Sequence, residues 1–283
     1  EYDTYWKFDI WWEKMMVKDI AIIGVGNLAQ SLLYRLESSK TELRIRLYDK
    51  DTGKKSLAKK PRITYSSTID KSLIKSEVII IAVKPNQYKD ICGDIKKFYS
   101  KSSVVISLMA GVKTTNLIKE LNPETSIFRV MTNINSKYGN ASTFIFSNKF
   151  CKKNKVELIK RFFNIFGTSH ILENENKIDK VTALIGSGPA YFIHFLEAMI
   201  QTFKNFGFSE DESETYAQEL FYGTAITCLN EKKSFKKIKD SVISKGGTTD
   251  AALKTLDALK FKSILTKSIK EAYNKAQQLG KNK

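Results

Sequence analysis

Apolar residues recur with two different periods along this chain, and the change of period divides it. From residue 17 to about 172, short runs of Val, Ile and Leu alternate with segments of helical period. The runs predict buried strands and the segments between them predict helices. The predicted strands are 19–23, 43–48, 63–66, 77–83, 102–108, 126–130, 142–146 and 168–172, with 142–146 on the far edge of the sheet. This alternation indicates a doubly wound parallel sheet of the α/β class.

Beyond about residue 173 the strand signal stops and the pattern is helical throughout. An apolar stripe follows Pro189, and Ser209 with Glu212 forms a capping box for a helix to about residue 229. A short helix over 235–242 and two closing helices ending at Gly280 follow. Because these helices carry more apolar surface than they can bury alone, we expect a homo-oligomer. The predicted division is an extension (1–16), an α/β domain (17–172) and an all-α domain (173–283).

The first predicted strand leads directly into a glycine turn and a helix. In the sequence Gly24-Val25-Gly26-Asn27-Leu28-Ala29, the first glycine suits a tight turn and the second lets a pyrophosphate approach the backbone. The N–H groups at the start of the helix then face the phosphates. A lone motif of this kind is weak, but its place between a strand and a helix predicts a Rossmann-type dinucleotide-binding domain over 17–172. The predicted cofactor contacts here are Ile23, Gly24, Gly26, Asn27 and Leu28.

The second predicted strand ends at Asp49, where a carboxylate can meet a ribose 2′-hydroxyl. Asp49 argues for NADH because it repels a 2′-phosphate. Lys50, Lys54 and Lys55 argue for NADPH because they can bind that phosphate. The sequence therefore leaves the choice between NADPH and NADH open.

The bulk composition narrows the class of protein. The 283 residues carry a formal net charge of +17, but the lysines are scattered without a compact basic and aromatic platform, so we expect no nucleic-acid partner. No uninterrupted apolar run approaches the roughly 18 residues of a membrane span, which predicts a soluble chain with no membrane partner. Three widely separated cysteines and two isolated histidines predict no metal site and a cytoplasmic location.

Residues 1–16 lack the charged, apolar and small-residue order of a signal peptide. Two possibilities are left for them, a disordered extension or a helix packed on a neighbouring subunit.

Six short motifs together resemble one family. They are Gly24-x-Gly26-Asn27-Leu28-Ala29, Ala82-Val83-Lys84-Pro85, Met109-Ala110-Gly111-Val112, Arg129-Val130-Met131-Thr132-Asn133, Gly186-Ser187-Gly188-Pro189-Ala190-Tyr191 and Gly246-Gly247-Thr248-Thr249. Their order and approximate spacing over residues 17–279 resemble pyrroline-5-carboxylate reductase. The resemblance implies hydride transfer from NADPH or NADH to the C=N carbon of 1-pyrroline-5-carboxylate, the last step of proline biosynthesis. It also implies a homodimer with interlocked C-terminal helices, in some members assembled into decamers.

The resemblance assigns roles to further residues. It adds Ala82, Val83, Lys84, Pro85, Ala110, Gly111 and Asn133 to the cofactor site. It places Glu175, Thr182, Ser244, Gly246, Gly247, Thr248 and Thr249 in the substrate site. The Gly246 to Thr249 turn opens a helix, so its N–H groups suit the substrate carboxylate. By resemblance, the Thr249 hydroxyl contacts the ring nitrogen and is the catalytic group.

Four positions depart from the family pattern. Lys245 stands where proline usually precedes the double glycine, Ile134-Asn135 replaces the usual Thr-Pro, and Ile185 replaces a common serine. Lys245, Ile134 and Asn135 keep a noncatalytic relative of the same fold open as an alternative. A second alternative is a small dehydrogenase acting on 3-hydroxy acids, although the stretch after Tyr191 has no lysine acid/base until Lys204.

Overall fold

A computed structural model describes residues 17–39 and 42–280, so the predicted extension over 1–16 lies outside the described residues. Eight strands form one sheet in the order β3-β2-β1-β4-β5-β6-β7-β8. The strands are β1 (Asp19–Ile23), β2 (Arg44–Tyr48), β3 (Ile63–Ser66), β4 (Val78–Ile81), β5 (Val104–Ser107), β6 (Ile127–Met131), β7 (Ala141–Ser147) and β8 (Gly167–Ile171). The first six strands follow the order of the dinucleotide-binding sheet, which confirms the predicted fold class.

Eleven α-helices lie in the described part of the chain. They are α1 (Asn27–Ser38), α2 (Lys71–Ile74), α3 (Tyr88–Lys96), α4 (Thr114–Glu120), α5 (Lys153–Asn164), α6 (Asn176–Val181), α7 (Gly188–Asn205), α8 (Glu210–Asn230), α9 (Phe235–Asp240), α10 (Thr248–Ala258) and α11 (Phe261–Leu279). Short 3-10 helices cover Thr52–Leu57, Pro85–Gln87 and Ile134–Tyr138, and one π-helical turn covers Thr182–Gly186.

Side chains of alternating direction along the strands fill two cores, one on each face of the sheet. Ile20 and Ile22 of β1 belong to the core that contains residues of α1 and α5. Ala21 and Ile23 belong to the core that contains residues of α3 and α4. Since successive residues of a strand point to opposite faces, an unbroken apolar strand requires cover on both sides. The sheet is therefore doubly wound, as predicted.

Two details of the predicted sheet are wrong. The strand predicted on the far edge, β7, is internal, because β8 pairs with it in parallel on its outer side. β7 itself runs antiparallel to β6. The strand predicted over 77–83 ends at Ile81, since Ala82 and Val83 leave the sheet before Pro85. The apolar pattern also did not predict the helix α3 over 88–96.

The chain divides into two compact units. One unit comprises residues 17–187 and 272–280, and the other comprises Gly188–Glu271. The first unit contains the whole sheet, and the second contains α7 to α10 with the first half of α11. The domain boundary predicted at residue 173 stays a prediction.

The second unit exposes many large apolar side chains. Those at least half exposed include Phe192, Leu220, Tyr222, Leu229, Phe235, Val242, Leu259 and Ile264. Inside the unit, α7 and α8 contact each other through Phe192 and Phe221, whose ring centroids are 5.8 Å apart. Apolar exposure on this scale indicates a surface that a partner covers.

One helical stretch among the described residues, Asn176–Asn205, is long and apolar enough for a membrane span by length and composition. Its most apolar window has a mean hydropathy of 1.3, and 11% of that window is buried. A search for uninterrupted apolar runs misses it, because Gly, Ser and His residues interrupt the stretch. A single helix of this kind is weak evidence for a membrane, since length and composition alone define it.

Candidate active site

The glycine turn after β1 is held tightly between two strands. Gly24 adopts φ +89°, and a Cβ atom placed there meets the backbone N of Val83 at 2.8 Å. Its N–H donates to the Tyr48 carbonyl at 2.8 Å, while the Ala82 N–H donates to the Ile23 carbonyl at 2.8 Å. Any side chain at position 24 is therefore both strained and obstructed.

The start of α1 offers unclaimed N–H groups. Gly26 is the N-cap, and no side chain caps the helix. A Cβ atom at Gly26 has nothing within 4 Å, so the space in front of the turn is open. Asn27 is exposed and Leu28 is half-buried. An open glycine N-cap with free helical N–H groups suits a pyrophosphate.

Asp49 is anchored to the glycine turn. Its Oδ2 accepts the Val25 N–H at 2.6 Å, and its Oδ1 accepts the Asp51 N–H at 2.9 Å. The Tyr65 hydroxyl donates to the Asp49 carbonyl at 2.9 Å. Bonds to both oxygens fix the direction of this carboxylate, so it cannot turn away from a group placed beside it.

A cleft of about 280 Å³ lies at the carboxyl ends of β1, β2 and β4. The strand order reverses between β1 and β4, which is where ligands bind in open α/β sheets. The lining residues are Gly24, Gly26, Tyr48, Asp49, Lys50, Ala82, Val83, Lys84, Gln87 and Ile91. Six of the predicted cofactor residues therefore line one cleft. Its position, open glycine turn and anchored carboxylate fit a dinucleotide.

Three lining residues escaped the sequence analysis. Tyr48 is the last residue of β2, next to Asp49, and Gln87 accepts the Lys84 N–H at 3.3 Å. Burial, and then the carboxylates of Asp94 and Asp49, raise the pKa of Tyr48, so its phenol stays protonated. Ile91 supplies an apolar wall from α3. The helix that carries Ile91 was itself missed, whereas Tyr48 is adjacent to a predicted contact.

The remaining predicted cofactor residues lie outside the lining of this cleft. Ile23 is fully buried in the sheet, and Pro85 begins a 3-10 helix. Ala110 and Gly111 follow β5 at the same edge of the sheet. A Cβ atom placed at Gly111 would clash with the Ala276 carbonyl oxygen, so this loop packs against the end of α11. Their contacts with a cofactor stay predictions.

Asn133, just after β6, has both ends of its side chain engaged. Its Nδ2 donates to the Ile185 carbonyl at 3.0 Å, and its Oδ1 accepts the Asn135 N–H at 3.0 Å. The second bond exists because position 135 is asparagine, since the proline usual in the resembled family has no N–H. This departure therefore adds a cap to the 3-10 helix at Ile134–Tyr138 and fixes Asn133.

Glu175 takes part in a buried ionic network of the first unit. Its Oε1 accepts the Thr114 N–H at 2.7 Å and its Oε2 accepts the Thr114 hydroxyl at 2.9 Å. Arg129 is fully buried on β6, where it is bonded to Asp179 and lies 3.5 Å from Glu175. Both carboxylate oxygens of Glu175 thus already hold α4 and α6 against β6. Its predicted contact with substrate stays a prediction.

Thr182 begins the π-helical turn that leads to the Gly186 motif. Its hydroxyl donates to the Ile178 carbonyl at 2.8 Å, and its carbonyl accepts the Ser187 N–H at 3.0 Å. Because the hydroxyl proton is committed to the helix, the oxygen is left to accept a hydrogen bond. Thr182 is half-buried and can present this acceptor to a ligand.

The double-glycine turn lies in the second unit, before α10. The Gly247 N–H donates to the Ser244 carbonyl at 3.0 Å, and a Cβ atom placed at position 247 would clash with the Ser244 Oγ. Thr248 is exposed and Thr249 is half-buried, both in the first turn of α10. No side chain caps this helix at Gly247. The turn therefore presents helical N–H groups beside a threonine hydroxyl.

Two family models match the chain. Residues 175–279 match "Pyrroline-5-carboxylate reductase dimerisation". Residues 19–111 match "NADP oxidoreductase coenzyme F420-dependent". The second match contains the cleft, and the first contains Glu175, Thr182 and the double-glycine turn.

Full-length relatives and solved structures agree with the dimerisation match. A pyrroline-5-carboxylate reductase of Staphylococcus haemolyticus is 28% identical, over 93% of this chain and 98% of the relative. The enzyme of Haemophilus influenzae is also 28% identical, over 94% and 98%. The solved pyrroline-5-carboxylate reductase of Coxiella burnetii has a TM-score of 0.82 at 28% identity, covering 94% of this chain and 100% of that one. A Plasmodium falciparum pyrroline carboxylate reductase with NADP bound has a TM-score of 0.85 at 24% identity, covering 94% and 99%, which supports the fold. Over nearly its full length the chain is similar to pyrroline-5-carboxylate reductases, and residues 175–279 match the dimerisation model of that family.

Proposed function

We propose that this protein reduces 1-pyrroline-5-carboxylate to L-proline with NADPH or NADH, the last step of proline biosynthesis. The observation that carries the proposal is the cleft at the strand-order reversal, with its open glycine turn, in a chain whose C-terminal part matches the family's dimerisation domain. Pyrroline-5-carboxylate reductases of other organisms match this chain over nearly its full length.

In this reaction the main task of the protein is to position the substrate beside the cofactor. A protonated imine is already electrophilic, and the bound reduced nicotinamide supplies the hydride. The protein has to hold the ring beside the cofactor and bind its carboxylate. Thr248 and Thr249 offer N–H groups to the carboxylate at the start of α10, and the Thr249 hydroxyl meets the ring nitrogen.

The cofactor residues act through the glycine turn and the strand ends. The N–H groups of Asn27 and Leu28 bind the pyrophosphate, and Asp49 meets the adenosine ribose. Ala82, Val83 and Lys84 form the opposite wall of the cleft. Lys50 also lines the cleft, whereas Lys54 and Lys55 lie in the 3-10 helix Thr52–Leu57.

A second copy of the chain covers the apolar surface of the second unit. The match to a dimerisation domain supports this arrangement, and the exposed side chains of α7 and α8 supply the apolar contact area. Assembly into a decamer and a cytoplasmic location are parts of this proposal, as is the absence of nucleic-acid and membrane partners. Light scattering on the purified chain distinguishes a monomer, a dimer and a decamer.

Matched threonine variants test the substrate site. Thr249→Ala removes the hydroxyl assigned to the ring nitrogen, whereas Thr248→Ala removes a neighbouring hydroxyl on the same turn. We expect kcat for imine reduction to fall about 100-fold in Thr249→Ala, within the range for a lost general acid, and to change little in Thr248→Ala. Equal effects of the two variants would contradict the assignment. A wild-type protein that binds cofactor but turns over no imine would favour the noncatalytic relative.

A further inference from the structure

Asp250 connects the double-glycine turn to α10. It lies in the first turn of the helix, and its Oδ2 accepts the Gly246 N–H at 2.9 Å. The same oxygen accepts a hydrogen bond from the Lys254 ammonium group at 2.9 Å. The Asp250 side chain is 19% exposed, whereas that of Lys254 is 74% exposed. A backbone N–H and an ammonium group therefore both hold the Oδ2 atom of this carboxylate, although Asp250 lies at a surface turn.

This bond constrains the residue on which the shape of the turn depends. Gly246 adopts φ +75°, and no atom of the described residues lies within 4 Å of a Cβ atom placed there, so packing among these residues does not hold it. Position 245, which is proline in most of the resembled family, is lysine here, so no ring fixes the backbone before Gly246. The hydrogen bond to Asp250 constrains the backbone of Gly246 instead.

The bond also decides which N–H groups a ligand can use. The Gly246 N–H is taken by Asp250, and the Gly247 N–H is taken by the Ser244 carbonyl. Within the described part of the chain, the N–H groups of Thr248 and Thr249 have no acceptor. The expectation that the N–H groups of the turn from Gly246 to Thr249 bind the substrate carboxylate is therefore narrowed to those of Thr248 and Thr249.

We propose that Asp250 is a positioning residue of the substrate site: it holds Gly246 so that the N–H groups of Thr248 and Thr249 converge on the substrate carboxylate. Lys254 balances the charge of Asp250, so the substrate anion is not repelled. The Lys254 hydrogen bond, and then the Gly246 N–H, lower the pKa of Asp250, which keeps the carboxylate ionised at neutral pH. This inference rests on the proposed reductase function.

Steady-state kinetics of the full-length protein test the inference with four variants. Asp250→Ala removes the acceptor, and Asp250→Asn keeps an acceptor oxygen of the same reach. Lys254→Ala removes only the ion pair. Asp257→Ala is the matched control, because Asp257 lies on the same helix and pairs with Lys262 without touching the turn.

We expect KM for 1-pyrroline-5-carboxylate to rise roughly tenfold in Asp250→Ala, the scale of one lost charge-assisted hydrogen bond. KM for the cofactor should stay unchanged, and kcat should change less than KM for the imino acid. Asp250→Asn should restore most of the affinity, and Lys254→Ala should have a smaller effect than Asp250→Ala. Asp257→Ala should match the wild type.

Three results would overturn the positioning role: an unchanged KM for the imino acid in Asp250→Ala, a parallel rise in the cofactor KM, or an Asp250→Asn variant as impaired as Asp250→Ala. If Asp250→Ala does not fold, Asp250→Glu replaces it, since it keeps the charge but displaces the carboxylate, and the same rise in KM is expected. A wild-type protein without imine reduction would refute the proposed function itself. An active wild type with a normal Asp250→Ala would refute only the inference.

Discussion

The buried ion pair between Arg129 and Asp179 gives the most quantitative test of the fold around the site. Arg129 is 0% exposed and Asp179 is 4% exposed. Among the described residues, the Nε and Nη1 atoms of Arg129 have no hydrogen-bond partner, so the Asp179 carboxylate is the group that most directly balances the buried charge of Arg129. Asp179→Ala therefore strands a buried guanidinium, with only the Glu175 carboxylate at 3.5 Å beside it. We expect the free energy of unfolding to fall by about 3–5 kcal/mol.

Urea unfolding at a fixed protein concentration measures this loss, because stability of an oligomer depends on concentration. With an m-value near 3 kcal/mol/M, the midpoint should fall by roughly 1–2 M. The control is Glu210→Ala, which breaks the exposed pair with Lys204, whose side chains are 72% and 38% exposed. That change should cost less than about 1 kcal/mol.

A double variant separates the pair from the general effect of a core mutation. Arg129→Met with Asp179→Leu replaces both charges by apolar groups, which is often neutral in a buried site. We expect it to be more stable than Asp179→Ala alone. A single variant that loses less than about 1 kcal/mol, or a double variant that loses more than the single one, would refute the electrostatic reasoning.

Three further predictions follow from the glycine turn, the anchored carboxylate and a helix cap. Gly24→Ala should raise the cofactor Kd at least tenfold, because a Cβ atom lies 2.7 Å from the Val83 Cγ1, and calorimetric titration with NADH measures it. Asp49→Asn should raise kcat/KM for NADPH relative to NADH about tenfold, since it removes a negative charge held beside the 2′ position; an unchanged ratio would remove Asp49 from cofactor discrimination. Asp70 caps α2, and the Leu73 N–H is the largest cause that lowers its pKa from 3.8. Its stabilisation is therefore present above pH 3.8 and is lost as the pH falls through the lowered value. In acid titrations followed by circular dichroism, Asp70→Asn should show less of this loss than the wild type.

The sequence predicted the parts of the fold that depend on local pattern. The strand at Ile63–Ser66 has the predicted bounds, and the glycine turn joins a strand to a helix as expected. The edge position of β7 was wrong because strand order depends on pairing with β8, which starts twenty residues after β7 ends. Periodicity alone contains no information about such pairing.

The site shows the same division between local and distant causes. Asp49 lies in the cleft because a strand end places it there, which a motif spacing can predict. Arg129 meets Asp179, fifty positions later, and no one-dimensional pattern shows that contact. Gly111 packs against the end of α11, so the same glycine that resembles a cofactor contact also serves chain packing.

Asp250 and Asn135 show where a departure from the family pattern is compensated. Asp250 accepts the Gly246 N–H and so constrains a turn that lacks the usual proline before it. Asn135 donates its N–H to Asn133, a bond that a proline at position 135 cannot make. The sequence shows the missing prolines, but only the structure shows what replaces them. Both departures are compatible with an ordered site, which favours an active enzyme over a noncatalytic relative.

The proposed reaction transfers a hydride from a nicotinamide cofactor to the C=N carbon of a cyclic imino acid. Incubating the purified protein with 1-pyrroline-5-carboxylate and NADH or NADPH dideuterated at the nicotinamide C4 tests it directly, with mass spectrometry of the product. We expect L-proline that carries one deuterium, formed in equal amount to the oxidised cofactor. Cofactor binding without proline, or proline without deuterium, would contradict it.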